Sequence, residues 1–285
     1  YYPTANAAVG PFSRNNYFLV SPATNNANGA ILKLDHSLTE RHRVSVQTSL
    51  SNGLDQSARR LLTAANPGNP DRQFQSRSGM AEHVFAVSPR TLNTLRFEAE
   101  TEVSTSGEMG EPDYAGAIGL RGSSTSAFPA VSFGEYLSMG RSAPRSRSAR
   151  TVYRLENGFS TRRGKHSLRV NIRHNRQQIN VFSSRYPAGS MRFGEGLTSL
   201  PGIVNTGHPF ASFLLGLPEF AEKTVVMAPS YFRRNSWFVS LREQYEAFRG
   251  LTVSLGANLV YRSPRFEKFD RQSTVDLAAI NPANG

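Results

Sequence analysis

Strict alternation of apolar and polar residues over a dozen positions is the feature that most narrows how this chain folds. From Leu251 to Ser263, one side carries Leu251, Val253, Leu255, Ala257, Leu259 and Tyr261. The other side carries Thr252, Ser254, Gly256, Asn258 and Arg262, with Val260 the single exception. A period of two places successive side chains on opposite faces of a β-strand. The run exceeds the ~5–6 residues of an ordinary soluble strand and matches the ~9–11 residues of a strand that crosses a bilayer.

The same unit recurs along the chain. Trp237, Val239, Leu241 and Tyr245 alternate with Ser236, Ser240, Arg242 and Gln244, and Ala247-Phe248-Arg249-Gly250 turns the chain into the run above. Upstream, Tyr153, Leu155 and Phe159 alternate with Arg154, Glu156 and Gly158. A Thr161-Arg162-Arg163-Gly164 turn leads to Leu168, Val170 and Ile172, which alternate with Ser167, Arg169, Asn171 and Arg173. Ala81, His83, Phe85 and Val87 lead through Ser88-Pro89-Arg90 to Leu95, Phe97 and Ala99, with Arg96, Glu98 and Glu100 between. Leu32 and Leu34 open the first unit, which turns near Glu40-Arg41 into Val44, Val46 and Leu50. Hairpins near 29–51, 76–104, 148–182 and 232–263 thus predict about eight long strands.

Between hairpins the chain is of another kind. Segments 52–75, 105–147, 183–230 and 264–285 are long and rich in Gly, Ser, Pro and Asn. Loops of this length are uncommon inside compact soluble domains. Short turns at one end and long loops at the other are the layout of an outer-membrane barrel, with the turns periplasmic and the loops extracellular. In lipid, unpaired backbone groups cost several kcal/mol each, so a spanning sheet must close. The expected fold is therefore all-β: an antiparallel transmembrane β-barrel section spanning 1–285. The polar half of its strands supplies lumen-facing candidates Arg96, Glu98, Glu100, Arg154, Glu156, Arg169, Arg173 and Arg242. A small soluble barrel cannot bury so many charges. Lipid-facing candidates are Leu168, Val170, Ile172, Trp237, Val239, Leu241, Leu251, Val253, Leu255, Leu259 and Tyr261. Aromatics near strand ends (Phe159, Tyr245, Phe248, Tyr261) suit interfacial girdles.

Composition excludes other classes. No apolar run approaches the roughly 20 residues of a membrane helix, and there is no cysteine for disulfides or thiolate metal sites. The net charge of +12 suggests nucleic acid at first sight. Its arginines, however, are scattered and alternate with apolar residues, which argues against that partner. Arg141, Arg145, Arg147 and Arg150 form a basic cluster at the end of a long loop, suited to lipopolysaccharide phosphates, an anionic ligand, or plain solvation. His208 to Pro218 reads as a short apolar helix within a loop, either packing over the rim or forming a lid. No secretion signal follows Tyr1, and both ends are expected to be cut from a longer polypeptide.

The run from Arg234-Asn235-Ser236-Trp237 through Leu251-Thr252-Val253-Ser254-Leu255-Gly256-Ala257-Asn258 to Tyr261-Arg262-Ser263-Pro264 resembles the barrel of Oar-like TonB-dependent receptors. Further echoes are Lys33-Leu34-Asp35-His36, Gly164-Lys165-His166-Ser167-Leu168-Arg169 and Phe210-Ala211-Ser212-Phe213-Leu214-Leu215-Gly216. Arg242-Glu243-Gln244-Tyr245 stands where that family commonly has a Gln-Asp-Asp-Trp-like tetrad. The resemblance implies a barrel of about 22 strands with a plugged lumen, often preceded by a carboxypeptidase-regulatory-like domain. It also implies coupling to the TonB-ExbB-ExbD complex and uptake of a ligand whose class varies. Neither a plug nor a TonB-contacting box is found in these residues.

No phosphate loop, His-Glu-x-x-His zinc motif or nucleophile elbow is present, so neither catalytic nor metal residues nor a cofactor are expected. The histidines (His36, His42, His83, His166, His174, His208) are dispersed and read as strand-end or interface residues. Asp35 and His36 point to opposite faces. Glu98 and Glu100 share a face about 7 Å apart, and with Arg96 beside them they read as a charge ladder. Two rival readings are a soluble basic all-β protein binding glycan or nucleic acid, and an outer-membrane adhesin or structural barrel. The soluble reading requires the apolar faces to pack on a second sheet.

Overall fold

The computed structural model of the chain describes residues 2–7, 15–107, 114–120, 128–140, 145–225, 228–273 and 275. The first strands are β1 (Thr24–Ser37), β2 (His42–Gln56), β3 (Arg72–Ser88) and β4 (Thr91–Ser106). Helix α1 (Tyr114–Ala117) and strand β5 (Ala130–Phe133) follow, then β6 (Arg145–Arg163) and β7 (His166–Ser184). β8 (Ser190–Phe193), helix α2 (Pro209–Leu214) and β9 (Phe220–Glu222) precede β10 (Ser230–Phe248), β11 (Leu251–Arg262) and β12 (Phe266–Glu267).

The long strands form one antiparallel sheet in the order β1-β2-β3-β4-β6-β7-β10-β11, with β12 added beside β10 at Phe232 and Arg233. Each long strand pairs with the one before it, so the sheet is a meander. All its short turns lie at one end and all its long connections at the other. Gly164 and Gly250 sit in the two-residue turns after β6 and β10 with φ of 60° and 93°, a left-handed backbone that hairpin turns use and other residues disfavour. Among the described residues β1 and β11 do not pair with each other, so each leaves one edge of backbone N–H and C=O groups free.

The strands run further toward the loop end than alternation indicates. The hairpins expected near 29–51, 76–104 and 148–182 extend to 24–56, 72–106 and 145–184, and the one expected near 232–263 spans 230–262. Their extensions, such as Arg72-Gln73 and Ser146-Arg147-Ser148, are polar on both faces, which erases the period. The ladder needs only backbone groups and continues without it.

The long connections fold into a cap of their own. β5 pairs parallel with β8, and β8 antiparallel with β9, in a separate small sheet. A buried apolar cluster lies beside it: Leu61, Ala65, Phe128, Val131, Phe133, Met139 and Phe193. These residues come from three different connections. Phe210 and Phe213 of α2 join them, with ring centroids 5.6 and 4.8 Å from Phe133. The apolar segment at 208–218 thus packs on this cluster. Backbone bonds tie the connections together, the Gly140 N–H donating to the Ala65 carbonyl at 2.7 Å and Ala130 to Gly189 at 3.0 Å.

Candidate functional site

The residue pairing across the sheet sorts the side chains of the long strands into two faces. Paired residues point the same way, so one register row fixes the face of every strand it crosses. Leu34 pairs with Val46, Val46 with Ala81, Ala81 with Phe97, Phe97 with Leu155, Leu155 with His174, His174 with Trp237, and Trp237 with Tyr261. Val239 joins Ile172 to Leu259, and Leu241 joins Val170 to Ala257. Glu243 pairs with Leu168 and Leu255, Tyr245 with Val253, and Phe248 with Leu251 across a bulge. All eleven apolar residues singled out in the sequence therefore share one face. Among the described residues no layer covers it: Leu34, Leu255 and Leu259 are 62, 68 and 67% exposed, although Leu168, Val170 and Val239 are half-buried between their neighbours. From Tyr245 to Trp237 this surface extends about 27 Å along the strand. Tyr153, Trp237 and Tyr261 mark its loop-end border, and Phe159, Tyr245 and Phe248 lie toward the turns.

The opposite face carries the charges. Arg96, Glu98, Glu100, Arg154, Glu156, Arg169, Arg173 and Arg242 all lie there by register. Most are joined across strands. Arg96 Nε donates to Glu82 Oε2 at 2.8 Å. Arg154 reaches Glu98 at 2.9 Å and Glu100 at 3.1 Å. Arg173 Nε donates to Glu156 at 2.9 Å, and Asn171 Nδ2 donates to the same carboxylate at 2.6 Å. Closer to the turns, Arg162 holds Glu246 at 2.8 Å. Glu98 and Glu100, noted as a pair in the sequence, thus flank one guanidinium. The alternation exception Val260 lies on this face opposite Phe238, whose ring takes the Arg173 guanidinium at 5.3 Å.

The loop-end basic cluster divides. Arg141 lies outside the described residues. Arg145, Arg147 and Arg150 belong to β6 and not to a loop, a correction that follows from the strand's extension. Arg147 and Arg150 fall on opposite faces because they are an odd number of positions, three, apart. Arg150 joins the charged face, 3.1 Å from Glu102. Arg147 lies on the other side, where register also places Arg77, Arg176 and the buried Arg233 toward the loop end. Arg176 donates to Asn235 at 3.2 Å and Arg233 to Asn180 at 3.0 Å. Alternation conceals this second group, since each arginine comes from a different part of the chain.

Histidine placement was also hidden. His36, His42, His83, His166 and His174 all share the apolar face. His42 Nδ1 lies 3.0 Å from His83 Nε2, and the His42 ring stacks on Phe85 at 4.3 Å. His174 lies 4.3 Å from Trp237, and His166 is 2.8 Å from Glu243. Only the β2–β3 register brings His42 and His83 together. His208, in the cap, is 3.0 Å from the Tyr136 hydroxyl.

At the far edge of β10, Glu267 is buried. Its carboxylate accepts from Arg271 Nη2 at 2.5 Å and from the N–H groups of Tyr231 at 3.1 Å and Phe269 at 2.7 Å. The guanidinium first, and the backbone donors after it, hold this carboxyl down to about 2.

One sheet with an uncovered apolar face and an ion-paired opposite face has the chemistry of a wall between hydrocarbon and water. No curated protein and no solved structure compared with the chain matches it. A family described as outer membrane beta barrel domain matches residues 1–285, the whole sequence. The chain belongs to the outer membrane beta barrel domain family and is an outer-membrane protein.

Proposed function

We propose that this chain is wall of a TonB-dependent transporter that takes up a ligand through energy supplied by the TonB-ExbB-ExbD complex. The carrying observation is the division of one sheet into an exposed apolar face and a charged, internally paired face across eight long strands. In this reading the apolar face meets lipid and the charged face lines the lumen. The short turns face the periplasm and the cap faces outward, where it meets ligand first. The free edges of β1 and β11 pair with further strands, because hydrocarbon does not tolerate an open edge. A barrel of about 22 strands, as the Oar-like resemblance implies, encloses a lumen wide enough to hold a plug. The role is transport and not catalysis.

Arg77, Arg147 and Arg176 lie toward the loop end of the lipid side. We assign them to lipopolysaccharide phosphates of the outer leaflet, since guanidinium forks match phosphate oxygens. Mass spectrometry of the purified full-length protein tests this: an Arg77→Glu, Arg147→Glu variant is expected to retain less co-purified lipopolysaccharide.

The soluble, basic binding-protein reading needs a second layer on the apolar face, and no described residue supplies one. An adhesin or purely structural barrel shares the wall but needs no energy coupling. Site-specific cross-linking in cells separates the two. The full-length protein is expected to cross-link to TonB, and a full-length protein at the cell surface that never does so defeats the transporter reading.

A further inference from the structure

Two arginines on the charged face stand apart from the ladder around them. Arg169 of β7 and Arg242 of β10 are direct register partners, so two like charges face each other across adjacent strands. Such an arrangement is unfavourable unless something neutralises it. Neither guanidinium has a hydrogen-bond or ion-pair partner among the described residues, whereas Arg96, Arg154, Arg162 and Arg173 on the same face each hold a carboxylate.

The surroundings leave room for a guest. Ser160 lies beside Arg169 in the same row and Gly256 beside Arg242, with Gly158 and Ser240 in the next row. These small side chains open a recess of about 490 Å3 with both arginines in its lining. Asn171 lines it too, and the donation of its Nδ2 to Glu156 fixes the orientation of the amide. Its Oδ1 is then a buried acceptor with no partner. The recess thus presents two unneutralised forks of N–H donors and one spare acceptor, with no carboxylate in its lining.

We infer that Arg169 and Arg242 form an anion niche that holds one carboxylate or phosphate group between two guanidiniums. A planar or tetrahedral oxyanion accepts paired N–H donors from each fork and cancels the repulsion between them. A protonated oxygen or amine on the same guest finds its acceptor in Asn171. The inference rests on the charged face lining the barrel interior. The anion comes from one of two sources: a soluble ligand passing through, or an Asp or Glu of polypeptide that fills the lumen.

Calorimetric titration of the full-length protein in detergent with inorganic phosphate tests it, beside an Arg169→Gln, Arg242→Gln variant and an Arg169→Lys, Arg242→Lys variant. Saturable phosphate binding that weakens at least tenfold in the Gln variant assigns the niche to a soluble anion. If wild type binds no phosphate, the unfolding midpoint decides. Removing two arginines that merely repel each other raises the midpoint or leaves it alone. A lower midpoint in the Gln variant, restored in the Lys variant, assigns the niche to a protein carboxylate. Phosphate binding equal in wild type and Gln variant overturns the inference, as does absence of binding with a midpoint that does not fall. Cross-linking to TonB does not depend on these side chains, so the two proposals fail separately.

Discussion

Arg154 on β6 stands directly opposite Glu98 on β4, and its Nη1 donates to Glu98 Oε2 at 2.9 Å. Both side chains are about one-third exposed, at 34 and 31%, so water screens the pair and its net contribution is modest. A double-mutant cycle of Glu98→Gln and Arg154→Gln is expected to give a coupling of about 0.5–1 kcal/mol in the denaturant midpoint. That coupling is expected to shrink in 1 M salt, where the screening length falls to about 3 Å. Arg154→Gln alone is expected to cost more than Glu98→Gln, because it also strands Glu100.

Neighbouring positions on β10 are expected to respond in opposite ways to the same change. Leu241 lies among Val170 and Ala257 in the middle of the apolar face, while Ser240 points to the charged face. Leu241→Arg is expected to destabilise the folded barrel by about 2–4 kcal/mol in a bilayer, and Ser240→Arg by only about 1 kcal/mol, through the like charges of Arg169 and Arg242 beside it. Unfolding in liposomes of the full-length protein measures both. Equal costs at the two positions would falsify the assignment of faces.

The cap has its own weak point. Phe133 is fully buried at 0% exposure and touches rings of Phe210 and Phe213. Phe133→Ala is expected to cost the cap about 3–5 kcal/mol through the cavity it leaves. Limited proteolysis is expected to cut the long connections of this variant sooner, while heat-modifiable gel mobility shows the wall still folded.

Glu267 gives the loop end a dependence on pH. Its carboxyl is held at about 2 in the folded chain against an ordinary value of 4.5. A depressed acid stabilises fully above its unfolded value, and the contribution fades as pH falls toward the folded value. Protection of the backbone around Tyr231 and Phe269 is therefore expected to hold from pH 7 to about 5 and to decline between about 4.5 and 2. Hydrogen exchange corrected for intrinsic rate measures this, and Glu267→Gln is expected to lack the transition.

The faces of the wall were legible in the sequence because a strand has only two. Leu251 through Tyr261 declares its partition in eleven consecutive letters, and register merely extends that partition sideways. The charged candidates were found for the same reason, since each alternates with an apolar neighbour. What lay hidden depends on pairing between strands distant in sequence. His42 meets His83, and Arg169 meets Arg242, only after β2 is laid on β3 and β7 on β10. The ends of the strands were hidden too, because polar residues on both faces of 72–73 and 145–148 carry no period. Nor does any local pattern announce the aromatic cap, which gathers Leu61, Phe133 and Phe193 from three separate segments.

Among the described residues, the buried apolar side chains gather almost wholly in the cap, and Val152 is the long strands' one contribution. In water these strands accordingly have nothing to collapse around: no greasy interior is waiting to reward their alignment. Newly made chains must cross an aqueous compartment in that state, with sticky edges able to zip onto one another. Such a molecule needs an escort until it reaches fat, and its insertion and its folding are one event.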